Sequence, residues 1–162
     1  MKSIIVYYSM TGNCEMVAKE LSEIMGADLL RIEPVKAYPT TGAKKFIWGG
    51  KSAVMGDTPK LKDYVFKGED YDTVVIGFPV WASRVAPPIK TFVKENTEAL
   101  KGKRIAAFAC QGGNGAEKAF AKLCEQLGIK ELAAQSILNE PKNQEMCITT
   151  KAMEEFAQQI SH

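Results

Sequence analysis

Apolar positions along this chain fall in short runs, and each run is followed by a stretch with helical spacing. The runs are Ser3–Tyr8, Asp28–Ile32, Thr73–Phe78, Arg104–Ala109 and Leu132–Leu138. Several are apolar throughout rather than alternating, the pattern of parallel strands covered on both faces. The stretches between them predict amphipathic helices. Asn13–Met25 places Met16, Val17, Leu21 and Ile24 near one face, and Gly26 stops it. Pro87–Glu95 begins with prolines, which suit a first helical turn. Ala116–Leu127 carries Phe120, Leu123 and Leu127 and ends before Gly128, and Thr149–Ile160 closes the chain with Met153, Phe156 and Ile160. Strand–helix alternation of this kind predicts an α/β fold with a doubly wound, five-stranded parallel sheet and helices on both faces.

One connection breaks the rhythm. About forty residues separate Ile32 from Thr73, too many for a structureless loop in a compact domain. A helix over Thr41–Val54 is the expectation, capped by Thr41, with Phe46, Ile47 and Trp48 as its apolar cluster. Gly49 and Gly50 count against it. Trp48 either seals this insertion onto the body or forms a lid, and sealing is the expectation for an apolar cluster under a long loop.

Length and composition add bounds. The chain has 162 residues, 46% hydrophobic and 25% charged, which suits one domain spanning 1–162 with a real core. Net charge is +2, too balanced to predict a nucleic-acid partner. The charge is uneven, however. Lys36–Lys67 holds seven lysines against two aspartates, a local +5 within a chain of net +2. The apolar run before Ser9 is too short for a signal-peptide core or a membrane span. A cytoplasmic protein with reduced thiols is the expectation. Cys14, Cys110, Cys124 and Cys147 form no Cys-x-x-Cys pair, and the single histidine is the terminal His162. That argues against a zinc site and against a Ser-His-Asp or Cys-His catalytic set.

The candidate chemistry begins after the first strand, in Ser9-Met10-Thr11-Gly12-Asn13-Cys14. Gly-x-x-x-x-Gly-Lys-Ser/Thr and Gly-x-Gly-x-x-Gly are both absent. A phosphatase-type Cys14 would need a nearby arginine, and the next is Arg31. Two hydroxyls, a glycine for close approach and the N-terminus of a helix make an anion cradle of mainly neutral donors, with no lysine in it. The same residues also read as a turn and a helix cap. Two further segments bear on the choice. The third strand runs into Gly77–Pro88 (GFPVWASRVAPP) and the fourth into Ala109–Lys118 (ACQGGNGAEK). With strand order 2-1-3-4-5, strands one, three and four are neighbours, and their trailing loops meet at the switch point where such sheets bind ligands.

A phosphate cradle, an aromatic plane and a glycine-rich turn of backbone donors together describe a site for FMN. On these motifs the sequence resembles the flavodoxin family over essentially its whole length. Ser9-Met10-Thr11-Gly12-Asn13 is the most specific element. Pro79-Val80-Trp81 and Gln111-Gly112-Gly113-Asn114-Gly115 reinforce it. The resemblance implies a flavodoxin-like fold and FMN as cofactor. It implies that Ser9, Met10, Thr11, Gly12, Asn13 and Cys14 hold the phosphate. It also implies that Pro79, Val80, Trp81, Ala82 and Ser83 carry the ring-stacking segment. Cys110, Gln111, Gly112, Gly113, Asn114 and Gly115 would then meet the pyrimidine edge.

Individual residues carry plainer readings beside these. Trp81 can be core filler, though its place after a strand and before Ser83 favours stacking. Cys14 stands where the family often has a threonine, and a thiol is a weak donor. A helix N-terminus lowers thiol pKa, which admits a redox role for Cys14, but packing is the expectation. Cys110 either presents its backbone to the flavin or buries a small side chain, and Cys124 and Cys147 read as packing. Arg84 could contact a substrate or partner, with a solvated arginine as the default.

FMN performs redox chemistry itself, so no residue here needs to act as acid, base or nucleophile. Two readings stay open. One is an electron carrier serving a redox partner protein. The other is an FMN-dependent oxidoreductase passing electrons from a nicotinamide cofactor to a quinone or other small-molecule acceptor. The basic isoelectric point of about 8.3 departs from the acidic pattern of electron-shuttling flavodoxins. Lysines near the ring would favour the anionic reduced flavin, and they would steer acidic partners. Neither a nucleic-acid nor a membrane partner is expected, and the sequence does not set an oligomeric state.

Overall fold

The structure is a computed structural model that describes residues 2–38 and 58–162. Its elements are β1 (Ser3–Tyr7), α1 (Asn13–Met25), β2 (Asp28–Arg31), β3 (Thr73–Trp81), β4 (Arg84–Val85), α2 (Pro87–Glu95), α3 (Thr97–Leu100), β5 (Arg104–Gln111), α4 (Ala116–Leu127), β6 (Ala134–Asn139) and α5 (Met146–Ser161). Short 3-10 turns cover Gly68–Asp70 and Pro141–Asn143.

The sheet order is β2-β1-β3-β5-β6, with these neighbours parallel. In chain order the parallel strands therefore lie 2-1-3-4-5, as the sequence predicts. The addition is β4, two residues paired antiparallel to the end of β3. No apolar run marks it, because it is only the return arm of a tight turn. α1, α2 and α4 have their expected bounds, and α5 starts three residues before the expected Thr149.

β3 and β5 run longer than their apolar runs. The ladder continues through Phe78 opposite Ala109 and Pro79 opposite Cys110, and β6 pairs Asn139 with Gln111. Proline lacks the N–H of a central strand, so it belongs at a strand's exit from the sheet, and Pro79 sits there. Trp81, Cys110 and Gln111 consequently stand on strand ends rather than in loops. Strand ends hold side chains more rigidly than loops do.

The core has two halves, one on each face. Ile4, Val6, Val74, Ile76, Phe78 and Ala107 meet Ile89, Phe92 and Val93 of α2 and Phe120 and Leu123 of α4. Ile5, Tyr7, Val75, Ala106 and Phe108 meet Val17 and Leu21 of α1 and Met153, Phe156 and Ile160 of α5. Successive strand residues go to opposite faces, so an unbroken apolar run supplies both halves at once.

The ends of the long connection are clipped together. The Val35 N–H donates to the Lys60 carbonyl at 2.8 Å, the Lys62 N–H to the Glu33 carbonyl at 2.8 Å, and Pro34 bridges Leu61. Beyond the clip, Tyr64 and Phe66 pack on Phe92 at ring distances of 5.7 and 5.1 Å. The Tyr64 hydroxyl donates to Glu95 at 2.8 Å. Burial, then the Glu95 carboxylate, pushes this phenol up to about 12. The helix expected over Thr41–Val54, and Trp48 within it, lie outside the described residues. Among the described residues, no helix is long and apolar enough to cross a membrane.

Candidate functional site

A cavity of about 370 Å³ opens at the carboxyl ends of β1, β3 and β5. That is within the range of small-molecule sites, about 300 to 1,000 Å³. Three segments converge on it from separate parts of the chain.

The first follows β1. Ser9 is only 3% exposed, and its Oγ accepts the Gly12 N–H at 3.1 Å. Its hydroxyl hydrogen is left to donate. The turn needs Gly12 at φ 97°, and this residue caps α1. The first-turn N–H groups of α1 lack intrahelical partners, as at any helix start. Arg31 on β2 holds the turn from behind, with Nη2 donating to the Ser9 carbonyl at 3.1 Å. Its guanidinium is itself fixed by Glu15 and Glu33, each at 3.1 Å. Hydrogen bonds from Lys19 and then Arg31 hold the Glu15 carboxyl below its usual range. The loop shape is thus set by a charged brace that no local motif announces.

The second segment is the end of β3. Trp81 lies edge-on to Tyr8 (5.8 Å, 89°) and to Tyr38 (5.1 Å, 78°). Its ring is both packed against the core edge and part of the cavity wall. Ala82 and Ser83 follow with φ of 51° and 60°. Two left-handed residues between antiparallel strands make a primed hairpin turn. Alanine and serine adopt that conformation at a cost of about 1–2 kcal/mol each, so backbone strain sits beside the cavity. Arg84 is on β4 opposite Trp81 and lines a separate cavity with Lys90 and Lys122.

The third segment follows β5. The Gln111 side chain is a brace: Nε2 donates to Asn139 Oδ1 at 3.0 Å, and Oε1 accepts the Ala116 N–H at 3.0 Å. Gly112 reaches the cavity wall. Gly113 and Asn114 are exposed. Gly115 packs so closely on Ser83 that the second and third segments form one surface.

Of the residues singled out from the sequence, Ser9, Met10, Thr11, Asn13, Cys14, Pro79, Val80, Trp81, Ala82, Cys110, Gln111 and Gly112 line the cavity. Gly12, Ser83, Gly113, Asn114 and Gly115 are not in its wall and shape the loops around it. Cys14 is 1% exposed and shares the core with buried Cys110. Burial pushes its thiol well up, and the neighbouring Cys110 adds to the rise. Cys14 thus packs in the core, where burial opposes the thiolate that a helix N-terminus would favour.

Three lining residues escape a local reading: Glu140, Lys142 and Asn143, from the turn after β6. Glu140 sits at φ 43° and starts that turn. Lys142 donates from its backbone N–H to Asn13 Oδ1 at 2.9 Å and from Nζ to the Thr11 carbonyl at 2.9 Å. The first loop, which contains no lysine of its own, thus has one bound against it. The lysine arrives from 131 residues further along the chain. Among the described residues, no cluster of three His, Cys, Asp or Glu side chains could hold a metal ion.

Comparison with known proteins agrees with this geometry. The family model for flavodoxin matches residues 2–156. Among solved structures, a Lactobacillus acidophilus flavoprotein in complex with FMN is 21% identical, with a TM-score of 0.71 over 87% of this chain and 94% of that one. A Bacteroides eggerthii protein is 24% identical, with a TM-score of 0.76 over 99% and 98%. Two-electron reduced Megasphaera elsdenii flavodoxin is 19% identical, with a TM-score of 0.61 over 97% and 99%. No curated protein sequence matches the chain. With the sheet order, the three converging segments and a family match over nearly its whole length in agreement, this chain belongs to the flavodoxin family.

Proposed function

We propose that this chain is a single FMN-binding domain that carries electrons, working in the cytoplasm, where its four free cysteines stay reduced. The observation that carries the reading is the convergence of three segments on one cavity, with donors at one end and an indole at the other. The residues suit the group. Ser9, Thr11, the backbone around Gly12 and Asn13, and the start of α1 would take the phosphate. Trp81 would lie against the ring system, and Gly112 would offer its backbone to the ring edge. Cys14 would contribute through its backbone rather than its thiol. FMN supplies hydride or single-electron chemistry when bound. The protein's part is to orient it and to set its surroundings.

Exposure favours a carrier over an enclosed enzyme. Ala82 and Gly112, which line the cavity, both face solvent. A ring held between them lies within reach of a partner's surface. The lysine-rich stretch Lys36–Lys67 would steer acidic partners.

The purified protein is expected to be yellow, with oxidised-flavin absorbance. A preparation that stays colourless after incubation with FMN overturns the proposal. Anaerobic mixing of the FMN-loaded protein with NADH or NADPH separates the two classes. A carrier keeps its colour until a partner reductase is added, whereas rapid bleaching means a nicotinamide-dependent oxidoreductase. Trp81→Ala is expected to weaken FMN binding about tenfold or more, the scale of one aromatic stacking contact, and to shift the potential. Unchanged affinity and potential would make Trp81 a core residue only.

A further inference from the structure

We infer that Lys142 is the cationic ligand of the phosphate end of the site and makes it select a phosphorylated flavin over the uncharged one. This rests on the FMN reading above. The motif in the first loop contains only neutral donors. Lys142 changes that from outside. Its Nζ donates to the Thr11 carbonyl at 2.9 Å, inside the very turn that would hold the phosphate. A Cβ built on Gly12 would meet the same Nζ at 3.3 Å, so the ammonium stands directly over that turn. An ammonium has three donors, and one bond to Thr11 leaves two for an anion in the cavity that Lys142 lines.

The residue is held at both ends. Its backbone N–H is bound to Asn13 Oδ1 at 2.9 Å. It belongs to a 3-10 turn that starts at buried Pro141 and is closed by the Asn143 N–H on the Glu140 carbonyl at 2.8 Å. Holding a lysine in one rotamer removes much conformational freedom, and a single exposed bond to a carbonyl returns little. A phosphate dianion beside the ammonium would offset that loss through charge-assisted bonds. The cavity is also polarised. Lys142 is at the first loop, whereas the Glu140 carboxylate lies toward Gly112 at the third, its Oε1 3.5 Å from a Cβ built there. That arrangement suits a ligand with its anion at the first loop and its neutral ring at the third.

The test compares FMN with riboflavin on the full-length apoprotein at pH 8, where the phosphate is dianionic because its second pKa is about 6. Lys142→Gln removes the charge and keeps an N–H donor, on a side chain one bond shorter. It is expected to weaken FMN binding about tenfold or more, the scale of a hydrogen bond to a charged group, with riboflavin affinity unchanged. Lys142→Arg should recover most of the loss. Raising salt to about 1 M, where the Debye length is about 3 Å, should narrow the gap between wild type and Lys142→Gln. An equal loss for both flavins makes Lys142 a structural clip and overturns the inference. No loss for either overturns it as well. If the wild type binds riboflavin as tightly as FMN, the inference falls while the flavin site stands. If it binds neither, both fall.

Discussion

Gly77→Ala is expected to destabilise the fold by about 3 kcal/mol, at the upper end for overpacking a closed core. Gly77 lies in mid-sheet on β3, between Tyr7 of β1 and Phe108 of β5. A Cβ there would stand 2.2 Å from Phe108 Cζ and 2.6 Å from both Cε atoms. The ring therefore lies across the glycine, and it is fully buried. It has no open space to swing into, so either the ring leaves its rotamer or the strands bow apart. A bowed β3 would also disturb the site, because the Tyr8 N–H donates to the Gly77 carbonyl at 3.1 Å, one residue before Ser9. Thermal unfolding should show a drop of about 6–12 °C for a domain of this size. Phe108→Leu in the same chain should recover part of the loss, a coupling that a double-mutant cycle reads directly. A loss below about 1 kcal/mol would mean that the ring relocates without strain.

Gly115→Ala is expected to act on the site more than on the whole fold. Gly115 has φ 103°, a conformation that costs other residues about 1–2 kcal/mol. Its Cβ would also stand 2.5 Å from Ser83 Oγ and 2.8 Å from Ser83 Cα. A hydroxyl can rotate away, but the Cα belongs to a turn that is already strained. The added methyl should push the turn after Trp81 away from the third loop and widen the gap that would hold the ring. FMN affinity should fall about tenfold to hundredfold, as for misplacing a stacking partner, with a stability loss of about 2 kcal/mol. Ser83→Gly on top of Gly115→Ala removes the side-chain part of the obstruction and should restore part of the affinity. Wild-type affinity in Gly115→Ala would show that binding does not depend on this loop contact.

Much of the framework was legible beforehand. Unbroken runs such as Thr73–Phe78 marked strands covered on both faces, and the structure buries alternate residues of that run in the two halves of the core. Proline at the start of α2 and glycine after α1 and α4 set helix bounds, because their backbone restrictions act locally. β4 left no trace, since a two-residue strand has no period to detect. The ends of β3 and β5 were misread as loops for a related reason. Pro79 and Gln111 look like exits from a strand, yet the pairing partner opposite decides where a ladder stops.

The sequence by itself determined the α/β layering, the strand order, and the three segments after β1, β3 and β5 that meet at one end of the sheet. The layering follows from periodicity and right-handed crossovers, and the strand order is what the resemblance to the flavodoxin family implies. Only the tertiary structure decided what surrounds the first loop: Arg31 bracing it from behind, Cys14 turned into the core beside Cys110, and Lys142 set over Gly12. Lys142 is 131 residues from Thr11, and no local pattern couples residues so far apart. Electrostatic and packing partners are chosen by proximity in space, which exists only once the sheet has brought β6 and its following turn beside the first loop.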